Sequence, residues 1–374
     1  MTSRVTVREL RSMLIDRVDQ LLADLPPDWR KHSSGAVTAL NPNHAADRRP
    51  GSFVVWTATG AWKDFAAGDK GDVIDLLSYA HGRGVDRKWA IGFAKEWLGI
   101  EKMSSGERAA ARAALRKKDE ARRAAQEAEA ARRRDRAWTM WLKAPVNHIA
   151  GTVAETYLAT RGVRLAEVPN PERGELRFSP EMEWWNGAVW GERDGRRVKE
   201  QPGPKFPAMI AIVRGARGEP MAVHVTFLAD DGQGKAPVAR PKLMFAGVTG
   251  GVVRIARGPS NLTPEQAADA GVAGPLVITE GIEDALSIAV ALPEARVWAA
   301  TSLSNVGNAP AFHPCVSGVI VAADNDWAGG QAAAELERAV ERLEAHGRPV
   351  EVRRPPAGFK DFNDLLRGEE EGKS

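Results

Sequence analysis

The feature that most constrains this chain is a regular alternation over its last hundred residues. LVIT reads as a buried strand and EDALSIAVAL as a helix. RVWAAT and GVIVAAD read as strands, AGGQAAAELERAVERLEAHG as a helix, PVEVRRP as a strand and DFNDLLR as a short helix. Apolar strands alternating with helices predict a doubly wound sheet of parallel strands. In such sheets ligands bind beyond the carboxyl ends of the strands, and here those ends carry carboxylates. Glu280 follows LVIT directly and Asp284 lies one helical turn later. Asp324 follows VIVAA, with Asp326 two residues on. Oxygen donors of this kind suit a hard cation, Mg²⁺ or Mn²⁺. Taken singly, each acid also fits a helix N-cap, and Asp326 would cap a helix starting at Trp327.

The rest of the chain divides by pattern. Residues 1–101 predict a small α+β module: a helix from Val7 to Leu25, short β-like runs SFVVWTA and GAWKDFA, then the helical DVIDLLSYAHG and a second helix through Trp89, Phe93 and Trp97. Residues 102–142 are a basic Ala/Arg-rich helical linker, opened by a capping box at Ser104 and Glu107. Between Lys102 and Arg136 it holds twelve Lys/Arg against six Asp/Glu, while the whole chain carries only +3. Such an element is a solvated spacer or a nucleic-acid-contacting helix. Residues 143–266 predict a mixed α+β subdomain, 267–368 the strand–helix alternation, and 369–374 a flexible tail.

Cys315 is the only cysteine, which excludes cysteine-cluster metal sites and an internal disulfide. No apolar run approaches a membrane span and no signal-peptide pattern opens the chain, so the expectation is a soluble, cytoplasmic protein without a membrane partner.

The C-terminal constellation resembles the Toprim domain shared by topoisomerases, bacterial primases and certain nucleases. TEGIEDALS matches its glutamate–glycine motif, AADNDWAGGQAA its Asp-x-Asp motif, and KDFNDLL, from Lys360, a third element. The resemblance implies Glu280 as the acid/base group and Asp324 and Asp326 as Mg²⁺ ligands; by their place at the strand end, Glu280 and Asp284 are further candidate metal-site carboxylates.

The N-terminal NPNH, RRPGSFVVW and WKDFAAGDKGDVIDLL are similar to the zinc ribbon of replicative primases with its ligands replaced. The positions of three cysteines fall on Asn41, Asp64 and Ala67, and His44 survives. With so few ligands left, no zinc is expected, and the module is expected to pack around Phe53, Trp56, Trp62 and Phe65.

YLATRGV, LRFSP, PAMIAIV, AVHVTFL, GKAPVARPK and GGVVRIA resemble the region preceding Toprim in primase-like proteins of phages, plasmids and integrated elements. That likeness makes Lys235, Arg240, Lys242 and Lys360 candidates for nucleotide or template contact. Trp184, Trp185 and Trp190 stand beside Arg193, Arg196, Arg197, Lys199 and Lys205. The mixture suits single-strand stacking or an ordinary packed cluster. No GxxxxGK[ST] string is present, so any helicase is a separate protein.

The expectation is a DNA-primase-like nucleotidyltransferase. It would act on single-stranded DNA with ribonucleotides or deoxyribonucleotides. A Toprim nuclease and a catalytically silent nucleic-acid-binding accessory protein are the alternatives.

Overall fold

The computed structural model describes residues 5–26, 28–33, 35–43, 51–100, 104–193, 196–325 and 330–368. The chain forms two compact units, residues 1–126 and 127–374.

In the first unit α1 (Val7–Asp16) starts at Thr6, whose hydroxyl and Glu9 form a reciprocal capping box. The single helix expected to Leu25 is broken at Arg17, and α2 (Val18–Asp24) follows. An antiparallel meander runs in sequence order through β1 (Arg30–Ser33), β2 (Ala36–Ala39), β3 (Phe53–Trp56), β4 (Ala61–Asp64) and β5 (Lys70–Gly71). Helix α3 (Val73–Ala80) is capped by Asp72, and all eight of its residues are buried. Helix α4 (Arg87–Trp97) packs beside it.

The aromatic packing corrects the sequence expectation. Phe53 and Trp62 are in the core, but Trp56 is 39% and Phe65 58% exposed. Side chains alternate along a strand, so an inward Val55 turns Trp56 outward. Phe65 lies past the end of β4, beside the Lys63 amine. The core aromatics are instead Trp29, Phe53, Trp62 and Tyr79, with ring centroids 4.2–5.7 Å apart.

The basic segment forms one helix, α5 (Ser105–Leu142). It opens with the expected box: the Glu107 N–H donates to Ser104 Oγ at 3.2 Å, and the Ser104 N–H to Glu107 Oε2 at 2.7 Å. Among the described side chains, its first buried residues are near the far end, at Ala137 and Trp141.

The second unit holds α6 (Val153–Thr160) and an antiparallel sheet built from β6 (Leu176–Glu183), β9 (Lys205–Arg214), β10 (Pro220–Phe227) and β11 (Lys242–Phe245), in the order β11-β10-β9-β6. Between β6 and β9 the chain makes a hairpin, β7 (Val189–Arg193) and β8 (Arg196–Gln201), a two-stranded sheet by itself.

The strand–helix alternation follows: β12 (Val253–Arg257), α7 (Pro264–Asp269), β13 (Gly274–Thr279), α8 (Ile282–Ala291), β14 (Arg296–Ala299), α9 (Leu303–Val306), β15 (Val316–Ala322), α10 (Gly330–Glu344), β16 (Val350–Arg353) and α11 (Phe362–Arg367). The strands lie in the order β12-β14-β13-β15-β16. Four are parallel, as expected from the alternation. The fifth, β12 from VVRIAR, grouped by sequence with the preceding segment, pairs antiparallel with β14 at the sheet edge. No helix among the described residues is long and apolar enough to cross a membrane.

Candidate active site

The chain leaves β13 toward β14 on one side, while β15, on the other side of β13, leads to β16. The order therefore reverses between β13 and β15, and the crevice past their carboxyl ends is where an open α/β sheet binds its ligand. Glu280 and Asp324 stand there. Ile278 pairs with Val321 across these two strands, so Glu280 and Asp324 fall two and three residues beyond one rung.

The backbone around Glu280 is closely fitted. A Cβ on Gly281 would lie 2.9 Å from Asp284 Oδ2, so only glycine lets that carboxylate pack against the turn. The Glu280 carbonyl accepts the Thr301 N–H at 2.9 Å. Thr301 holds a φ of 68°, a strained conformation for a β-branched residue of the kind that gathers at functional sites.

The third motif is tied to the other two. Asn325 donates its N–H to the Lys360 carbonyl at 2.8 Å and its side-chain amide to the Phe359 carbonyl at 2.6 Å. Arg354 donates to the Asp324 carbonyl. On α11, the Asn363 N–H donates to Asp284 Oδ1 at 2.9 Å, and its side chain donates to Ser287 Oγ and to the Arg161 carbonyl. Burial, and then the Asp361 carboxylate, push Asp284 up to about 7. Lys360 itself is exposed. Asp326 and the proposed cap at Trp327 lie outside the described residues. Among the described residues no group of three His, Cys, Asp or Glu is arranged to hold a metal.

A residue passed over by the sequence reading binds the site to the first sheet. Glu283, on the first turn of α8, is buried and receives Lys242 Nζ at 3.0 Å, Lys235 Nζ at 3.7 Å and the Tyr157 hydroxyl at 2.8 Å. Burial alone would raise its pKa, but Lys242 and Lys235 hold it well below the usual carboxylate range. Burial, then Lys242, lowers the Lys235 ammonium. His224, facing the same group from β10, is pushed down to about 4 by burial and by Lys242. A signal was available: an acidic pair, Glu283–Asp284, sits in the otherwise apolar IEDALSIAVA, where a charge is buried only with a partner.

The structure thus brings Lys235 and Lys242 to the first motif. Lys360 meets the second motif through its carbonyl, which accepts the Asn325 N–H, and Arg240, Arg193 and Arg197 lie at the surface. Arg240 is exposed and offers its carbonyl to Trp184 Nε1 at 3.0 Å. Arg193 and Arg197 are exposed on the β7–β8 hairpin, and the Arg196 side chain is not among those described.

In the first unit, two positions read as replaced zinc ligands meet directly. Asp64 is fully buried and accepts from Asn41 Nδ2, from the Tyr79 hydroxyl at 2.8 Å and from the Ala66 N–H at 2.8 Å. These bonds outweigh burial and hold the carboxyl below its ordinary value. His44 lies outside the described residues.

Residues 275–372 match the Toprim domain family, and residues 131–255 match a domain of unknown function, DUF7146. None of the curated proteins matches the chain. Solved structures align loosely. The Aquifex aeolicus primase, with zinc-binding and RNA polymerase domains, covers 98% of this chain and 83% of its own at 17% identity and a TM-score of 0.36. A DnaG primase catalytic domain bound to ssDNA covers 66% and 79% at 18% identity and 0.41. The E. coli primase catalytic core covers 60% and 72% at 19% identity and 0.36.

Proposed function

The chain carries a Toprim domain over residues 275–372, and from that premise we propose that it is a DNA-primase-like nucleotidyltransferase making short primers on single-stranded DNA. One observation carries this reading. Strand-end carboxylates at the switch point stand beside two lysines gathered on Glu283. Two ammonium groups share one carboxylate there, leaving net positive charge next to an anionic crevice.

The donor set fits a hard divalent cation, since every candidate ligand is a carboxylate. The nearby Asp284–Asp361 crowding, which raises Asp284, is of the kind that a cation relieves. Asp324 and Asp326, with Glu280, would hold Mg²⁺ or Mn²⁺, while Asp284 Oδ1 already accepts the Asn363 N–H. When bound, the ion offsets phosphate charge. The chain's own groups then have distinct work. Lys235 and Lys242 neutralise and orient the triphosphate of an incoming ribonucleotide or deoxyribonucleotide. Glu280 receives the proton of the primer 3′-hydroxyl as that oxygen bonds to the α-phosphorus and pyrophosphate leaves. Template unwinding falls to a separate helicase.

Incubation with a single-stranded template, nucleotides and Mg²⁺ or Mn²⁺ tests the proposal. New short oligonucleotides are expected. A shortened template would replace it with a Toprim nuclease. Template binding with neither product would replace it with an accessory role.

A further inference from the structure

The β7–β8 hairpin is unexplained by the site above. An isolated two-stranded hairpin is marginal in water, yet this one is held firmly at its base. Glu183 receives Lys199 Nζ through both oxygens at 2.8 Å and the Gly203 N–H at 2.9 Å. Gly203 is required: a Cβ there would collide with the Trp184 carbonyl. Among its charged side chains the hairpin exposes large apolar groups: Trp190 is 37% exposed, Val189 and Val198 are exposed on the same two strands, and Trp185, just before them, is 42% exposed.

The two indoles belong to an ordered row. Cross-strand pairing puts Trp190 opposite Lys199 and Glu192 opposite Arg197, all on one face. The Arg197 guanidinium lies 4.5 Å from the Trp190 ring centroid. Lys199 Nζ sits 5.2 Å from the Trp185 ring and 5.5 Å from that of Trp190. Phe245 meets Trp185 edge to face at 5.5 Å. Beyond Trp185 the row opens into a cleft of about 700 Å³, floored by Met182, Met244 and Phe245, whose lining carries Arg133, Arg136 and Lys143 alongside Asp135, Glu181 and Glu183. Lys199 is engaged by Glu183, and Arg133 and Arg136 on the cleft rim pair with Glu129, so phosphate contact falls to Arg197 on this face and to Lys143 on the rim.

We propose that this row is a platform for single-stranded nucleic acid, with unpaired bases stacking on Trp190 and Trp185 and the backbone lying along Arg197 and Lys143. Ring faces alternating with cations match the alternation of base and phosphate, and stacking on an indole needs a base that is not already paired. The partner's class rests on the reading above, but the binding needs neither nucleotide nor divalent cation.

The test is fluorescence anisotropy of labelled oligo(dT) and of a duplex with the full-length chain in EDTA, so loss of primer synthesis and loss of this site are separable. Trp190→Ala and Trp185→Ala should each weaken oligo(dT) binding by about tenfold, lose less on duplex, and keep the wild-type circular dichroism spectrum. Trp190→Phe should restore most of the affinity. Arg197→Gln with Lys143→Gln should lower the slope of log affinity against log salt by about 0.7 per contact. Unchanged oligo(dT) affinity in both tryptophan variants would overturn the proposal. So would an alanine variant whose only defect is a lost dimer, since the surface would then belong to a second copy of the chain.

Discussion

Replacing Glu283 by Gln removes one charge and keeps the shape that accepts the Tyr157 hydroxyl. It leaves Lys235 and Lys242 facing each other without a counter-ion. Breaking a buried ion pair from one side costs about 3–5 kcal/mol. Here both lysine side chains keep more than a third of their surface exposed, so either ammonium can turn toward water. The cost falls to about 2 kcal/mol. For a unit of this size that lowers Tm by about 4–8 °C. The assay is urea and thermal denaturation of the full-length chain as a double-mutant cycle with Lys242→Met. Lys242→Met relieves the repulsion that Glu283→Gln creates, so the double variant should be more stable than the sum of single losses by about 1 kcal/mol. Additivity within about 0.3 kcal/mol would refute a coupled clamp.

Three further outcomes follow from other parts of the chain. Protein purified without added metal should contain far less than one zinc per chain by elemental analysis, because Asn41 and Asp64 bond to each other; a stoichiometric value would contradict this. His224 sits near 4 in the fold and near 6.5 unfolded, so between those pH values the unfolded chain holds the extra proton. The contribution of His224 itself should therefore fall by up to about 3 kcal/mol as pH drops through that window; because Asp284 and Glu175, both raised to about 7, pull the other way, it is read as the difference between wild type and His224→Leu, and an equal pH dependence of the two would speak against the assignment. Deleting residues 108–136 should flatten the salt dependence of nucleic-acid binding, and an unchanged slope would make α5 only a spacer.

Much of the second unit was legible because its signals are local. Runs such as LVIT and the 3.6-residue stripe of α10 declare strand and helix without reference to distant residues. Strand ends then point to Glu280 and Asp324 through topology alone. What escaped depends on long-range meetings. VVRIAR has the alternation of any strand, and nothing local says that it joins the far edge of the C-terminal sheet. Glu283 meets Tyr157 across 126 residues, and its lysines arrive from β11 and from the connection that precedes it. Asn41 and Asp64 look like lost ligands in sequence, and only the fold pairs them with each other and with Tyr79. Phe65 looks like core by composition, yet a position just past the end of β4 leaves it exposed.

The most direct measurement compares primer synthesis by wild type, Glu280→Gln and Asp324→Asn on a single-stranded template with nucleotides and Mg²⁺ or Mn²⁺, all three first matched for folding by circular dichroism. Wild type should give cation-dependent short products and each variant at least a hundredfold less, in line with removal of a general base or a phosphate-neutralising ligand. Full activity in both variants would contradict this, because these carboxylates would then be structural acids at strand ends and the chemistry would lie elsewhere.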